Sequence, residues 1–194
     1  MSANALLLTV LGFFLGSLMG SYWLGKIVLK RDIRQIGDGN PGAFNLIKTG
    51  NMAVAVLGII FDIGKGVIPT GLAMTFIPVS GWELLPVTLA PIVGHAFSPF
   101  LRFKGGKAIA VTGGVHIGLQ PVFMCIGIPL FVLSYLIMST SGWAVALSFA
   151  LITLVQAVFF PDPVLVMIWL INAALVLYKY RDDLRVPPRL KRRS

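Results

Sequence analysis

The sequence predicts an all-α integral membrane protein with about seven transmembrane helices. Of its 194 residues, 57% are hydrophobic and 12% are charged, which is about half the charged fraction of an average soluble domain. The apolar residues form long runs separated by short polar segments, and nearly all charges lie in those segments. Too little polar surface remains to cover a water-soluble globule of this length. A lipid-facing bundle is therefore expected.

The apolar runs give the number and position of the expected helices. A helix that crosses a hydrocarbon core about 30 Å thick needs about 20 apolar residues. The third and fourth runs are short, and the fourth, AIAVTGGVHIGL, is rich in glycine, so five or six spans are alternatives. The first run lacks the basic start of a signal peptide and is expected to stay as a helix. The seven predicted spans are residues 5–27, 52–76, 85–101, 108–119, 121–138, 143–160 and 163–179.

The basic residues divide unequally between the two sides of a seven-span bundle. Fifteen of the sixteen Lys and Arg fall on one side, and only Lys65 lies elsewhere. The turns around Glu83 and Asp162, on the other side, hold no cation. The positive-inside rule predicts that the basic side is cytoplasmic and the N-terminus outside. This basic set is Lys26, Lys30, Arg31, Arg34, Lys48, Arg102, Lys104, Lys107, Lys179, Arg181, Arg185, Arg189, Lys191, Arg192 and Arg193.

Composition also predicts the number of domains and the kind of partner that the protein binds. No linker or repeat interrupts the chain, which predicts one domain over residues 1–194 with a basic cytoplasmic tail at 179–194. The net charge of +9 lies in short clusters between apolar runs, so anionic membrane lipid is an expected partner of the tail and nucleic acid is not. The single cysteine, Cys125, excludes a disulfide or a thiolate metal cluster. No motif requires a metal or a nucleotide cofactor, and a monomer is expected.

The first polar segment, residues 28–51 (the first loop), contains KRDIRQIGDGNPGAFNLIKTGN. Glycine and asparagine accept positive φ and let successive backbone N–H groups converge on an anion. GDGNPG fits G-x-G-x-x-G only formally, because no βαβ unit surrounds it. The loop is much longer than a turn between helices requires, so an anion site is favoured over a simple polar turn. The residues concerned are Arg34, Gly37, Gly39, Asn40, Gly42, Asn45 and Lys48.

The second span carries FDIGKG, with Asp62 and Lys65 three residues apart on one helix face. An ionisable pair inside an apolar run by default indicates a polar cavity or pathway. A purely structural ion pair is the alternative.

The stretch RFKGGKAIA, residues 102–110, places two lysines around a Gly-Gly turn that opens a helix. Such a turn presents free N–H groups at the positive end of the helix dipole, which favours phosphate. It is not a Walker A loop, because Leu101 and Ala108 stand where that motif needs Gly and Ser or Thr. Ordinary positive-inside charges on a short loop are the alternative.

The two histidines do not form a recognisable catalytic set. Taken alone, His95 is more often a structural residue than a catalyst, and His116 lies deep in an apolar run with no assigned role. Neither is followed by an Asp five positions later, and no Ser-His-Asp set or acidic dyad is visible.

Taken together, these motifs resemble those of the bacterial acyl-phosphate:glycerol-3-phosphate acyltransferases, the PlsY family, over nearly the whole chain. The matching stretches, in order, are Gly16-Ser17 with Gly25-Lys26, DIR with GDGNPGAFN, Asp62-x-x-Lys65-Gly66, and GHAF with FLRFKGGK. The resemblance implies a seven-helix bundle in the bacterial cytoplasmic (inner) membrane with its active site on the cytoplasmic face.

The resemblance also implies a reaction and a set of site residues. A fatty acyl group passes from acyl phosphate to the 1-hydroxyl of glycerol 3-phosphate and gives lysophosphatidate, the first step of phospholipid synthesis, without a dedicated protein base. The implied catalytic residues are Ser17, His95 and Lys104. The implied substrate- and phosphate-binding residues are Arg34, Gly39, Asn40, Gly42, Asn45, Asp62, Lys65, Gly66, Gly105, Gly106, Lys107 and Arg181.

The chain departs from the family pattern at several positions. A carboxylate near an expected phosphate is unfavourable unless a cation compensates it, so a changed acceptor or lost activity is an alternative. A small anion transporter, suggested by the intramembrane pair and glycine-broken helices, and a lipid-binding scaffold are the rivals. The departures are Asp38 for serine, Phe44 for threonine, Ala108 for glycine, Val111 for threonine, Tyr180 for histidine and Asp183 for asparagine.

Overall fold

A computed structural model describes residues 1–191 as helices joined by short connections; Arg192 and Arg193 of the predicted basic set lie outside these residues. Three short 3-10 segments occur at Ile33–Gln35, Gly81–Glu83 and Pro99–Leu101. The α-helices are α1 (Ala3–Ser17), α2 (Gly20–Ile27), α3 (Ala43–Ile47), α4 (Met52–Thr75), α5 (Leu84–Ala96), α6 (Ile109–Leu119), α7 (Pro121–Ile137), α8 (Ser141–Phe159), α9 (Pro163–Lys179) and α10 (Arg181–Leu184).

Four helical segments are long and apolar enough to cross a membrane, which confirms the predicted all-helical membrane class. They are Ala3–Ile27, Met52–Thr75, Gly81–Leu101 and Ser141–Phe159. Each of the other three predicted spans is a shorter apolar helix, α6, α7 or α9. With 11 residues, α6 is about 16 Å long, about half the thickness of a hydrocarbon core. The count of seven crossings stays a prediction.

The predicted first helix is not continuous, because Leu18 and Met19 separate α1 from α2. Both residues leave the helical region, with ψ angles of 109° and 79°. The break leaves the carbonyl oxygens of Ser17 and Leu18 outside the helix ladder. They accept hydrogen bonds from Ser98 Oγ at 2.7 Å and from Lys65 Nζ at 2.8 Å. Donors from distant parts of the chain thus stabilise a break that the apolar run does not reveal.

The first compact unit, Met1–Leu119, depends on close approach between helices at glycine. A Cβ added at Gly66 of α4 would overlap the backbone of Val111 and Val115 in α6, and one added at Gly114 of α6 would overlap the carbonyl of Ile63. Small residues let helix backbones approach closely, which provides much of the packing between membrane helices.

The same principle joins α1 to α5. A Cβ at Gly16 would overlap the backbone of Pro91, and a Cβ at Gly94 would overlap the carbonyl of Phe13. Ser17 and His95, each the next residue after one of these glycines, are both buried in this unit.

The second compact unit begins at Gln120 and contains α7 to α10 around an aromatic centre. Trp169 stacks on Phe149 at a centroid distance of 5.0 Å and meets Phe123 edge-on at 5.9 Å. Its indole N–H donates to Thr153 Oγ1 at 2.8 Å. The expectation of a single domain stays a prediction.

Substitution at Gly114 tests the packing of α4 against α6, and the neighbouring Gly113 supplies a matched control. Gly114→Ala should lower the unfolding temperature in detergent, since its methyl group would meet the backbone of α4. No described atom outside the local helix lies within 4 Å of a Cβ built at Gly113. Gly113→Ala should therefore be neutral or stabilising by about 0.5–1 kcal/mol through helix propensity. Equal thermal shifts for the two variants would contradict this packing.

Candidate active site

The site is built around the buried ion pair of α4. Lys65 Nζ lies 2.9 Å from Asp62 Oδ1, and the two side chains are 4% and 1% exposed. Asp62 Oδ2 accepts a hydrogen bond from Ser21 Oγ at 2.7 Å, while Lys65 also donates to the Leu18 carbonyl. The predicted shared face is confirmed, and the pair connects α4 to the break between α1 and α2. Ser21 was missed in the sequence analysis, because a serine in an apolar run gives no spacing signal.

His95, in the last turn of α5, lies between this pair and the Gly-Gly turn. Its Nδ1 is 3.9 Å from Asp62 Oδ1, and its carbonyl accepts a hydrogen bond from the N–H of Gly106 at 3.0 Å. A Cβ at Gly106 would overlap the imidazole, and one at Gly105 would overlap the His95 carbonyl. The turn needs two glycines because its backbone passes directly against His95.

The expectation that the Gly-Gly turn itself offers free N–H groups is wrong for Gly106, whose N–H is bonded to His95. The free donors lie slightly later, in the first turn of α6. Within residues 1–191, the N–H groups of Ile109, Ala110 and Val111 have no hydrogen-bond acceptor. They are the unsatisfied donors that every helix N-terminus leaves. An anion bound there would also benefit from the helix dipole.

The two predicted lysines of the Gly-Gly loop (residues 102–108) have different surroundings. Lys104 is exposed, and its ammonium group has no partner among the described residues. Lys107 Nζ lies 2.9 Å from Asp38 Oδ2 of the first loop. The loop is also conformationally strained, since Arg102, Phe103 and Ala108 have φ angles of 54°, 62° and 63°, in a region that non-glycine residues disfavour.

Asp38 organises the first loop. Its Oδ1 accepts hydrogen bonds from the backbone N–H of Asn40 at 3.2 Å and from Asn45 Nδ2 at 2.9 Å. Asn45 Nδ2 also donates to the Asn40 carbonyl at 2.9 Å. Burial raises the pKa of Asp38, but the hydrogen bonds from Lys107, Asn40 and Asn45 outweigh it and hold the pKa below its ordinary value. The negative charge of Asp38, which stands where the family pattern has serine, is therefore compensated by Lys107 and two amide donors.

Other parts of the first loop fit the predicted anion site in conformation. Gly37 and Gly39 have φ angles of 61° and 75°, and a Cβ at Gly37 would touch the ammonium group of Lys48. Two short helical pieces, Ile33–Gln35 and α3, lie within the segment expected to be a loop. Gly37 and Gly39 thus adopt left-handed conformations, whereas Gly42 is extended, with a φ angle of -97°.

Arg34 is held in place on two sides. Its Nη2 pairs with Asp32 Oδ2 at 2.6 Å, and its guanidinium stacks over the Tyr22 ring at 4.8 Å from the centroid. The hydrogen bond from Arg34 holds the pKa of Asp32 below its ordinary value. Tyr22 was also missed, because one aromatic residue in an apolar run predicts only packing.

The remaining predicted residues have mainly structural contacts. Ser17 is fully buried, and its Oγ donates to the Phe13 carbonyl at 2.7 Å. Gly66 packs against α6, as described above. Arg181 belongs to the second unit, where it stacks on Tyr178 at 4.6 Å and donates to that residue's carbonyl at 3.0 Å. In the same unit, Asp183 accepts a hydrogen bond from Ser141 Oγ at 3.1 Å, where a carboxylate faces the N-terminus of α8 favourably.

The described residues contain no group of three or more His, Cys, Asp and Glu side chains that could hold a metal ion. The charged groups of the site are instead the buried pair Asp62 and Lys65 and, in the two loops, Arg34, Lys48, Lys104, Lys107, Asp32 and Asp38. Fold and site together define a helical integral membrane protein with a polar region built from two glycine-containing loops.

Comparison with known proteins identifies the family. A family model described as glycerol-3-phosphate acyltransferase matches residues 6–186, and the chain belongs to this family of membrane enzymes. A glycerol-3-phosphate acyltransferase of Enterococcus faecalis is 33% identical over 148 residues, which cover 76% of this chain and 68% of the relative. The corresponding protein of Listeria monocytogenes is 30% identical over 185 residues, or 95% and 93% of the two chains.

Two solved structures share the fold. The crystal structure of PlsY (YgiH), an integral membrane glycerol 3-phosphate acyltransferase, in its glycerol 3-phosphate form aligns with a TM-score of 0.86 at 25% identity, over 94% of this chain and 91% of that one. Its lysophosphatidic acid form aligns with a TM-score of 0.84 at 26% identity and the same coverage. The resemblance stated from the sequence motifs is thereby confirmed.

Removal of one partner of the buried pair should be strongly destabilising. Asp62→Asn leaves the Lys65 ammonium buried beside a neutral group, and we expect a loss of about 3–5 kcal/mol. Ser21→Ala removes only the hydrogen bond to Asp62 and should cost about 1–2 kcal/mol. Chemical denaturation in mixed micelles measures both. A loss for Asp62→Asn no larger than for Ser21→Ala would show that the pair is not structurally important.

Ala108 offers a stabilising substitution. Its φ angle of 63° costs a non-glycine residue about 1 kcal/mol, so Ala108→Gly should raise the free energy of unfolding by roughly that amount. Ala110→Gly, two residues later inside α6, should instead lower it by about 0.5–1 kcal/mol. Thermal unfolding of the two variants in one detergent checks the opposite signs, and destabilisation by both would contradict a strained Ala108.

Proposed function

We propose that this chain transfers a fatty acyl group from acyl phosphate to the 1-hydroxyl of glycerol 3-phosphate and releases lysophosphatidate and inorganic phosphate. The observation that carries the proposal is the meeting of the two glycine-containing loops through Lys107 and Asp38, next to the unsatisfied N–H groups of α6. Both substrates carry phosphate, which basic side chains and a helix N-terminus bind well. Family membership supports the acceptor.

The chemistry needs little from the protein beyond binding and orientation. The acceptor hydroxyl oxygen attacks the carbonyl carbon of the acyl phosphate, a new ester C–O bond forms, and the bond from that carbon to the phosphate oxygen breaks. Phosphate leaves with the electron pair, and the hydroxyl proton ends on it. Because phosphate is a good leaving group, positioning and charge stabilisation supply most of the catalysis.

The residues divide into three proposed roles. Lys104, with its unpartnered ammonium, is the candidate that touches the reacting phosphate, and His95 holds the Gly-Gly turn against the buried pair. Arg34, Asn40, Asn45 and Lys107 form the polar wall contributed by the two loops, with Gly39, Gly42, Gly105 and Gly106 shaping its backbone. Asp62, Lys65 and Gly66 support that wall from α4. Catalytic contact by Ser17 and by His95, and phosphate binding by Arg181, stay predictions.

We place this site at the cytoplasmic face of the bacterial inner membrane, in a monomer with seven crossings and an outside N-terminus. The distribution of the basic residues supports the orientation, since the first loop and the Gly-Gly loop fall on the predicted cytoplasmic side. Anionic lipid is the proposed partner of the tail.

The pairing of Asp38 supports a phosphorylated acceptor over the alternative of a changed acceptor. That alternative assumed a bare carboxylate facing the acceptor phosphate, but Asp38 is paired with Lys107. Asp183 accepts a hydrogen bond from Ser141. The compensated charge of Asp38 therefore does not favour an acceptor that lacks a phosphate.

Substitution of Lys104 tests the proposal. Purified protein in lipid nanodiscs receives palmitoyl phosphate, and phosphate release is followed with and without glycerol 3-phosphate. Lys104→Ala should lower kcat/KM for the acceptor by about 100-fold, as loss of one stabilising donor typically does. Lys30→Ala removes the same charge from an exposed, unpartnered lysine of the same side and should change it less than about threefold.

Two outcomes would overturn the assignment. Folded wild-type protein that releases no phosphate in response to glycerol 3-phosphate would remove the proposed acceptor. Equal losses for Lys104→Ala and Lys30→Ala would mean that only general surface charge matters. A transporter would instead move phosphate compounds across sealed liposomes without hydrolysing or transferring the acyl group.

A further inference from the structure

We propose that Asp38 is a positioning residue whose carboxylate latches the first loop to the Gly-Gly loop and holds Lys107 and Asn45 in the arrangement that the acceptor meets. The inference rests on the proposed function for its kinetic consequence, although the latch itself is a feature of the fold. It concerns a residue at which this chain departs from the pattern of the family that it resembles.

The first argument is the number and origin of the donors on one carboxylate. Asp38 receives a backbone N–H from Asn40, a side-chain amide from Asn45 and the ammonium group of Lys107, at 3.2, 2.9 and 2.9 Å. The first two belong to the first loop and the third to the Gly-Gly loop. One side chain thus fixes the fold of its own loop and ties that loop to another one 69 residues away in sequence.

The second argument is the freedom of the backbone around Asp38. Gly37 and Gly39, on either side of it, both have positive φ, and glycine has the largest conformational freedom to lose on ordering. A segment with glycine on both sides needs an anchor to keep one conformation. The hydrogen bonds and the ion pair of Asp38 provide that anchor.

The third argument is charge. The Asp38 side chain is 42% exposed and that of Lys107 is 17% exposed, so the pair lies at the rim of the site where solvent can reach it. While Asp38 is paired with Lys107, the Lys107 charge is balanced, whereas Lys104 has no partner among the described residues. The latch therefore fixes geometry while it reduces the attraction of the loops for a phosphate dianion.

This balance gives Asp38→Asn a kinetic signature that a merely structural residue lacks. Removal of the Asp38 negative charge should lower the KM for glycerol 3-phosphate or leave it unchanged, because the net attraction of the two loops for the dianion increases. Loss of the fixed arrangement should lower kcat by about tenfold, since small misplacements of binding groups are costly in rate. Asp38→Ser should behave in the same way.

Asp38→Glu is the conservative variant that separates position from stability. Its longer side chain keeps a carboxylate within reach of Lys107, and it should retain kcat within about threefold of wild type. If Asp38→Ser instead keeps the wild-type kcat, or if Asp38→Asn raises the KM without lowering kcat, the latch has no part in positioning and the proposal is overturned.

A second measurement does not depend on activity. Amide hydrogen exchange in lipid nanodiscs should be up to about fivefold faster at residues 36–45 and 104–107 in Asp38→Asn than in wild type, the scale expected from loss of a partly exposed ion pair. Asp32→Asn is the matched control, because it breaks the pair with Arg34 inside the first loop. It should leave exchange at residues 104–107 unchanged.

The two readouts distinguish failure of the latch from failure of the proposed function. Faster exchange in Asp38→Asn, in a protein that shows no acceptor-dependent phosphate release, would support the latch and remove the acceptor assignment. Unchanged exchange at residues 104–107 in Asp38→Asn would overturn the latch, whatever the activity of the wild-type protein.

Discussion

The ion pair between Asp62 and Lys65 is the interaction on which the first unit depends. Two charges inside an apolar bundle are tolerated only when each has partners, and here the partners come from the break between α1 and α2. Lys65 satisfies the Leu18 carbonyl freed by that break, and Ser21 satisfies Asp62. The break and the pair therefore require one another. Together they connect α4 to α2 and to the backbone at Leu18.

Close packing at glycine determines how the two loops meet. Gly66 and Gly114 bring α4 and α6 into backbone contact. Gly105 and Gly106 let the Gly-Gly loop pack directly against His95. Each glycine is needed because a backbone or an imidazole occupies the place of its Cβ. As a consequence, the Gly-Gly loop that leads into α6 at Ile109 packs against His95, which lies 3.9 Å from Asp62 of the buried pair. The charged side chains of the two loops are thus attached to closely packed helices.

The departures from the family pattern are accommodated by local compensation. Asp38 acquires Lys107 and two amide donors, and Asp183 lies at the start of α8 with Ser141. Ala108 keeps a left-handed conformation that glycine would adopt more easily. The Asp38 charge is balanced by a cation and Asp183 accepts a hydrogen bond, whereas Ala108 gains no such contact among the described residues and keeps a strained φ angle. The Asp38 carboxylate is thus accommodated because Lys107 of the Gly-Gly loop lies within ion-pair distance.

The sequence by itself determined the class of protein, the apolar helical runs, the polar loops and the family, because these follow from composition, hydrophobic runs and ordered motifs. It also determined that Asp62 and Lys65 share a face, since their spacing is a property of the helix. Only the tertiary structure decided the break at Leu18, the roles of Ser21 and Tyr22, the bond between Gly106 and His95, and the pairing of Asp38 with Lys107. Each of these joins groups from separate segments, and a local pattern carries no information about which distant donor will satisfy a given carbonyl or carboxylate.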